Sequence, residues 1–180
     1  MSSSSNSSKT APEIKNIIEL LAHSLALEEE AVERYAELAR LMEAHNNNDV
    51  AVLFKKMSNI EKLHVEDISK QIQNRKIKKL PVIKYQWVSM EGPETTDPSE
   101  LHYLMTPYQA LNLALLNERR AYEYYKNISE SATDKETRSL AEELAVEEEE
   151  HVALMKEWLD KVPETESGWD YDDDDPNVVD

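Results

Sequence analysis

Four stretches of this chain carry apolar residues at alternating spacings of three and four, and each meets a glutamate near its middle. In the first, Ile18, Leu21, Leu25, Val32, Tyr35, Ala39 and Met42 share one helical face, and the missing member of the series is Glu28. The third repeats the device: Tyr108, Leu111, Leu115, Tyr122, Tyr125, Ser129 and Ala132, with Glu118 in the gap. The second runs Leu53, Met57, Glu61, His64, Ile68, and the fourth Leu140, Leu144, Glu148, His151, Met155, Trp158, Val162. A 3.6-residue period turns four carboxylates and two imidazoles inward. Buried ionised carboxylates lose hydration and repel one another, so they require protons, basic partners or bound cations. No Lys or Arg falls on these seams, which favours metal. Carboxylate oxygen with imidazole nitrogen suits iron, with manganese or zinc as substitutes.

Glu and His three residues apart lie on one helix face. Glu61 with His64, and Glu148 with His151, can therefore each hold one ion, while Glu28 and Glu118 close the site or bridge the ions. Glu147 also shares a face with His151, but the internal repeat selects Glu148. Leu27–Tyr35 aligns with Asn117–Tyr125, and Met57–His64 with Leu144–His151, so helix one matches helix three and helix two matches helix four. Tyr35 and Tyr125 face inward two turns after Glu28 and Glu118. They are either plain core or hydrogen-bond donors to the carboxylates. Glu29, Glu30, Glu33, Glu149 and Glu150 fall off the seams and read as solvated. His23, His45 and His102 lack a ligand partner at helical spacing and read as surface or loop residues.

The architecture follows from the punctuation. Residues 1–9 form a Ser-rich leader expected to be disordered. Thr10-Ala-Pro-Glu13 has capping-box spacing and predicts a helix running to about Ala44. A second helix is expected from Asp49 to about Asn74, a third from the capping box at Thr106 to about Ser131, and a fourth from the capping box at Thr133 to just before Pro163. Residues 75–105 hold Pro81, Gly92, Pro93 and Pro98 and form a long crossover, whose Tyr85–Val88 and Leu101–Met105 are expected to pack on the bundle. The bundle domain spans 10–162, and residues 163–180 form an acidic tail. Two glycines in 180 residues disfavour a many-stranded β fold. The fold class is all-α, a four-helix bundle with one long crossover between helices two and three.

Composition narrows the partners. Against 20 basic residues stand 37 acidic ones, a formal net charge of −17, which repels nucleic acid and attracts cations. The tail's Asp172–Asp175 run could gather Fe²⁺ weakly or serve only solubility. The basic run from Lys70 to Lys84 reads as a helix C-terminus followed by solvated loop, or as a dock for acidic chain. The absence of cysteine excludes thiolate ligation and thiol catalysis and fits a reducing compartment, so the cytoplasm is the expected location. Neither a secretory signal nor a membrane span is expected.

Glu28 with Tyr35, Glu61-Lys-Leu-His64, Glu118 with Tyr125, and Glu148-Glu-Glu-His151 together resemble the rubrerythrin and bacterioferritin branches of the ferritin-like superfamily, over residues 12–162. The nearest likeness is to stand-alone rubrerythrin-like proteins. The resemblance implies a di-iron centre that reduces hydrogen peroxide or dioxygen while oxidising Fe(II). Rubrerythrins proper carry a four-cysteine rubredoxin-like domain, absent here, so the electron donor is expected to be an external, unknown molecule. They also tend to place an additional Glu one turn after the third-helix ligand. That position is Ala121, which leaves a six-ligand set closer to bacterioferritin. The alternatives are an iron storage or delivery protein with ferroxidase activity, and a metal-free helical interaction module. A homodimer or small homo-oligomer is expected, because the crossover carries Tyr85, Trp87 and Tyr103, which pack best on their own or a symmetry-related bundle.

Overall fold

A computed structural model describes residues 14–82 and 102–165. Four helices make up the fold: α1 (Ile17–Ala44), α2 (Asn48–Asn74), α3 (Pro107–Ser131) and α4 (Lys135–Leu159), with no strand among the described residues. The starts of α1, α3 and α4 each have a side chain that satisfies backbone N–H groups left over by the first turn, whereas Asn47 at the start of α2 makes no such bond. Asn16 accepts from the amides of Ile18 and Glu19, both at 3.0 Å. Thr106 and Gln109 form a reciprocal capping box ahead of Pro107, with Gln109 Oε1 accepting from the Thr106 amide at 3.1 Å. Asp134 accepts from the Thr137 amide at 2.8 Å.

Two of the expected starts are thereby corrected. Helix α1 begins at Ile17 behind Asn16, because Asn16 and Glu19 themselves have capping spacing, six residues further along than Thr10. Residues 1–13, including that earlier capping box, lie outside the described residues. At α4 the cap is Asp134 rather than its neighbour Thr133, since the Asp134 carboxylate reaches both the amide and the hydroxyl of Thr137. The α1 seam is also shifted. Ile18 is exposed, whereas Leu20, Leu27 and Leu38 are buried beside Leu21, Tyr35, Ala39 and Met42.

Helices α1 and α2 pack along one another, as do α3 and α4, and the hairpins join through α2 against α3 and α1 against α4. The tight α1–α2 turn places Asn46 at φ 59°, a left-handed conformation that Asn tolerates. Asn47 then ties this turn to the start of α3, its amide donating to the carbonyls of Met105 at 2.6 Å and Tyr103 at 3.3 Å. Met105 is buried while Leu104 is exposed, so the expected packing of this end of the crossover holds for one apolar residue and fails for the other. Tyr85–Val88 lies outside the described residues.

The core has two apolar layers. One holds Tyr35, Met42, Phe54, Met57, Leu111 and Met155, at the end where α1 finishes and α3 starts. The other holds Leu20, Leu27, Ile68, Tyr125, Ile128 and Leu140, at the opposite end. Helices α2 and α3 therefore run in the same direction. The link between them has to return the length of a 27-residue helix, about 40 Å at 1.5 Å per residue, so it must be long. The glutamates sit between the two layers.

Candidate metal centre

The middle turn of every helix contributes a buried carboxylate. Glu28, Glu61, Glu118 and Glu148 expose 0 %, 3 %, 3 % and 2 % of their surface. His64 and His151 stand beside them, each about one-seventh exposed at the side chain, at 13 % and 15 %. Their rings stack with centroids 4.5 Å apart. His64 Nδ1 lies 3.6 Å from Glu28 Oε2 and 3.9 Å from Glu148 Oε1. His151 Nδ1 lies 3.3 Å from Glu118 Oε2 and 3.7 Å from Glu148 Oε2. All six residues singled out in the sequence are thus gathered between the two apolar layers. The carboxylate of Glu148 faces both imidazoles, one oxygen toward each.

Three of these donor atoms are buried without a hydrogen bond: Glu28 Oε2, His64 Nδ1 and His151 Nδ1. Leaving such atoms unsatisfied costs roughly 1–3 kcal/mol each, so their convergence calls for a ligand. Two sets bring three donor atoms within 4.8 Å of one another, Glu28 with Glu61 and His64, and Glu148 with His64 and His151. The chemistry of the set, carboxylate oxygen with imidazole nitrogen, fits a pair of first-row metal cations.

The electrostatics agree. Burial raises the Glu61 carboxyl well above its usual range, and the charges of Glu118 and Glu28 raise it further. Glu148 is raised in the same way, by burial first and then by Glu28, Glu118 and Glu61. Burial pulls the His64 imidazole down, but its Glu28 neighbour and the charges of Glu147 and Glu118 outweigh this and raise it.

Both inward tyrosines are buried, and each takes part in a hydrogen bond across the hairpins. Tyr125 Oη donates to Glu28 Oε1 at 3.1 Å, and Tyr35 Oη accepts from Asn117 Nδ2 at 3.3 Å. Asn117, 1 % exposed, is a buried polar residue that the seam pattern does not mark. Its signal was the repeat itself, which places an amide where the first half has Leu27. Ala121 is fully buried and offers no ligand atom at the additional-glutamate position. Glu29, Glu33, Glu147, Glu149 and Glu150 are exposed and Glu30 is half-buried. His45 is exposed as the α1 C-cap, His102 stacks on Tyr103 in the loop before α3, and His23 is half-buried on α1, its pKa lowered by burial.

The rubrerythrin family model matches residues 19–159. The chain belongs to the rubrerythrin family. That family is of the ferritin-like di-iron type, as the sequence resemblance implied. An uncharacterised conserved protein from Magnetospirillum magnetotacticum is 40 % identical, with a TM-score of 0.67, covering 84 % of this chain and 98 % of that one. The bacterioferritin of Rhodobacter capsulatus, solved with a metal-free dinuclear site and haem iron, is 22 % identical at a TM-score of 0.54, over 82 % of this chain and 88 % of its own. A bacterioferritin from Mycobacterium tuberculosis is 19 % identical at a TM-score of 0.50, over 82 % and 88 %. These two likenesses establish the ferritin-like fold. No curated protein matches the chain. Among the described residues no helix is long and apolar enough to cross a membrane.

Proposed function

We propose that this rubrerythrin-family protein binds two iron ions through Glu28, Glu61, His64, Glu118, Glu148 and His151, and reduces hydrogen peroxide or dioxygen while oxidising Fe(II). The observation that carries the reading is the convergence of three buried, unsatisfied donor atoms from α1, α2 and α4 inside a cluster of four carboxylates. Two ferrous ions supply one electron each, enough with two protons to take peroxide to two waters. The chain's own residues hold and prepare that site. Glu61 and Glu148, whose carboxyls are raised by burial and by neighbouring carboxylates, would bind cations in exchange for protons. Tyr125 fixes the rotamer of Glu28 through its hydroxyl, and Tyr35 is proposed for the corresponding role by its place in the repeat. The apolar layers above and below exclude bulk water. The stacked imidazoles are the most accessible members of the cluster, so small oxidants reach it along the α2–α4 face. Manganese or zinc would be held by the same donors, zinc without redox chemistry. An external donor, still to be identified, returns the electrons, and the cytoplasm is the proposed location.

A second reading, iron storage or delivery with ferroxidase activity, is favoured by the absence of a seventh carboxylate at Ala121. Anaerobic loading with Fe²⁺ followed by stopped-flow mixing separates the two. Oxidation by peroxide at least tenfold faster than by dioxygen supports the peroxidase reading; comparably slow rates with both overturn it. A metal-free interaction module would bind no ions at all.

A further inference from the structure

Between α1 and α2 lies a groove of about 300 Å³ whose described lining holds three cations and no acid. Small side chains make room for it. Ala39 and Ser58, both buried, form its floor beside Ala36, and the Ser58 hydroxyl donates to the Val32 carbonyl at 3.1 Å. Arg40, Lys55 and Lys62 stand exposed around it. On α2, Lys55, Asn59 and Lys62 recur at spacings of four and three and so share one helix face. Such clustering is unexpected in this chain. Residues 17–74 hold 11 acidic and six basic residues, and half of the basic ones line this one groove. Elsewhere on the hairpin, Arg34 pairs with Glu37 at 3.4 Å and Lys70 with Asp67 at 2.6 Å. Of the groove's three cations, among the described residues, only Lys55 has a carboxylate, that of Glu43. Lys62 leans on the neutral Asn59 at 3.4 Å, and Arg40 has no hydrogen bond or ion pair among the described residues.

We propose that this groove binds a phosphate-class dianion, either free or as the phosphate group of a small phosphorylated metabolite. Two uncommitted positive charges match the two negative charges of such a group, whereas a monocarboxylate would answer only one. The Arg40 guanidinium offers a planar pair of N–H donors suited to two oxygens of one phosphate, and the Lys62 ammonium adds a compact charge. A volume at the lower end of small-molecule sites suits a phosphate or a sugar phosphate rather than a large cofactor. The rest of the surface, on a chain of formal net charge −17, repels anions, so a bound phosphate reports this groove. None of the six residues of the carboxylate and imidazole cluster lines it, and the site needs no metal.

Calorimetric titration of the full chain with inorganic phosphate in low-salt buffer reads the site, since salt screens exposed charges. One phosphate per chain is expected, with affinity falling about tenfold or more in Arg40→Gln/Lys62→Gln, the size of lost charge-assisted hydrogen bonds. Lys135→Gln/Lys156→Gln removes the same charge from α4, outside the groove, and should bind as wild type does. Ala36→Leu fills the groove without changing charge and should also weaken binding, which keeps the question answerable if the first variant misfolds. Ribose 5-phosphate that binds about tenfold tighter than both phosphate and ribose assigns the groove to a phosphorylated metabolite. An ester that binds no tighter than phosphate assigns it to the free ion. No phosphate binding by folded wild-type protein, or equal losses in the two double variants, overturns the proposal. So does binding that survives Arg40→Gln/Lys62→Gln and disappears when a chelator strips bound metal, because that phosphate sits on an ion.

Discussion

Glu61 and Glu148 carry the sharpest conflict in the molecule, since each is almost wholly buried and faces other carboxylates. Their carboxyls are raised well above the ordinary value of 4.5 in the folded, metal-free protein. In the unfolded chain they ionise near that ordinary value. Between the two values the folded state binds more protons, so stability is full below about 4.5 and is lost as pH rises, by ~1.4 kcal/mol per pH unit for each proton retained. Metal-free protein should therefore melt at progressively lower temperature above pH 4.5, and this slope should be much smaller in Glu61→Gln/Glu148→Gln. Equal slopes in thermal melts at several pH values would show that these carboxyls are not the source. The same double variant should retain its helical circular dichroism at neutral pH and gain stability when metal-free, because glutamine is neutral and avoids the cost of burying or protonating a carboxylate. Tyr125→Phe should leave the fold intact and remove the hydrogen bond that holds Glu28, slowing Fe(II) oxidation by roughly tenfold or more in stopped-flow traces, in the range of a positioned hydrogen bond.

At the scale of the helices, the termini decide where each seam begins, and therefore which turn of each helix faces the centre. The Thr106 capping box fixes α3, and its hydroxyl also meets Thr165 beyond α4 at 2.6 Å. Thr106→Ala should cost about 1 kcal/mol and lower the melting temperature by about 2–4 °C, with metal stoichiometry unchanged. The interior was more legible in the sequence than these ends. A seam of period 3.6 cannot place Glu28, Glu61, Glu118 or Glu148 anywhere but inward while its apolar neighbours are buried, so the carboxylates could be read off directly. Caps offered competing solutions. Thr10 and Asn16 both have a glutamate three residues on, and Thr133 and Asp134 are adjacent. A local spacing rule cannot rank such pairs, because backbone direction and side-chain reach decide between them. Asn117 was hidden for a different reason. Its neighbour Glu118 takes the seam position, and a polar residue beside a seam reads as solvent-facing until α1 brings Tyr35 against it.

For the molecule as a whole, the two hairpins are each well packed internally and meet through a core interrupted by charge. Cations that bind only the folded state should hold the hairpins together. Metal at a hundred times its dissociation constant adds about 2.7 kcal/mol per site, so metal-loaded protein should melt well above metal-free protein at neutral pH. Identical melting temperatures by calorimetry would contradict that coupling. A small assembly, most simply a homodimer, is the expected quaternary state, and light scattering after size exclusion should give a mass of two chains; a mass near that of a hollow shell of many chains would favour the storage reading. The central claim, that α1 to α4 together build one site for two ions, is tested most directly by metal analysis after anaerobic reconstitution with Fe²⁺ and removal of loose iron. The account predicts two iron ions per wild-type chain and almost none in a folded Glu61→Ala/Glu148→Ala variant. One ion or none in folded wild-type protein, or two retained in the variant, would contradict it.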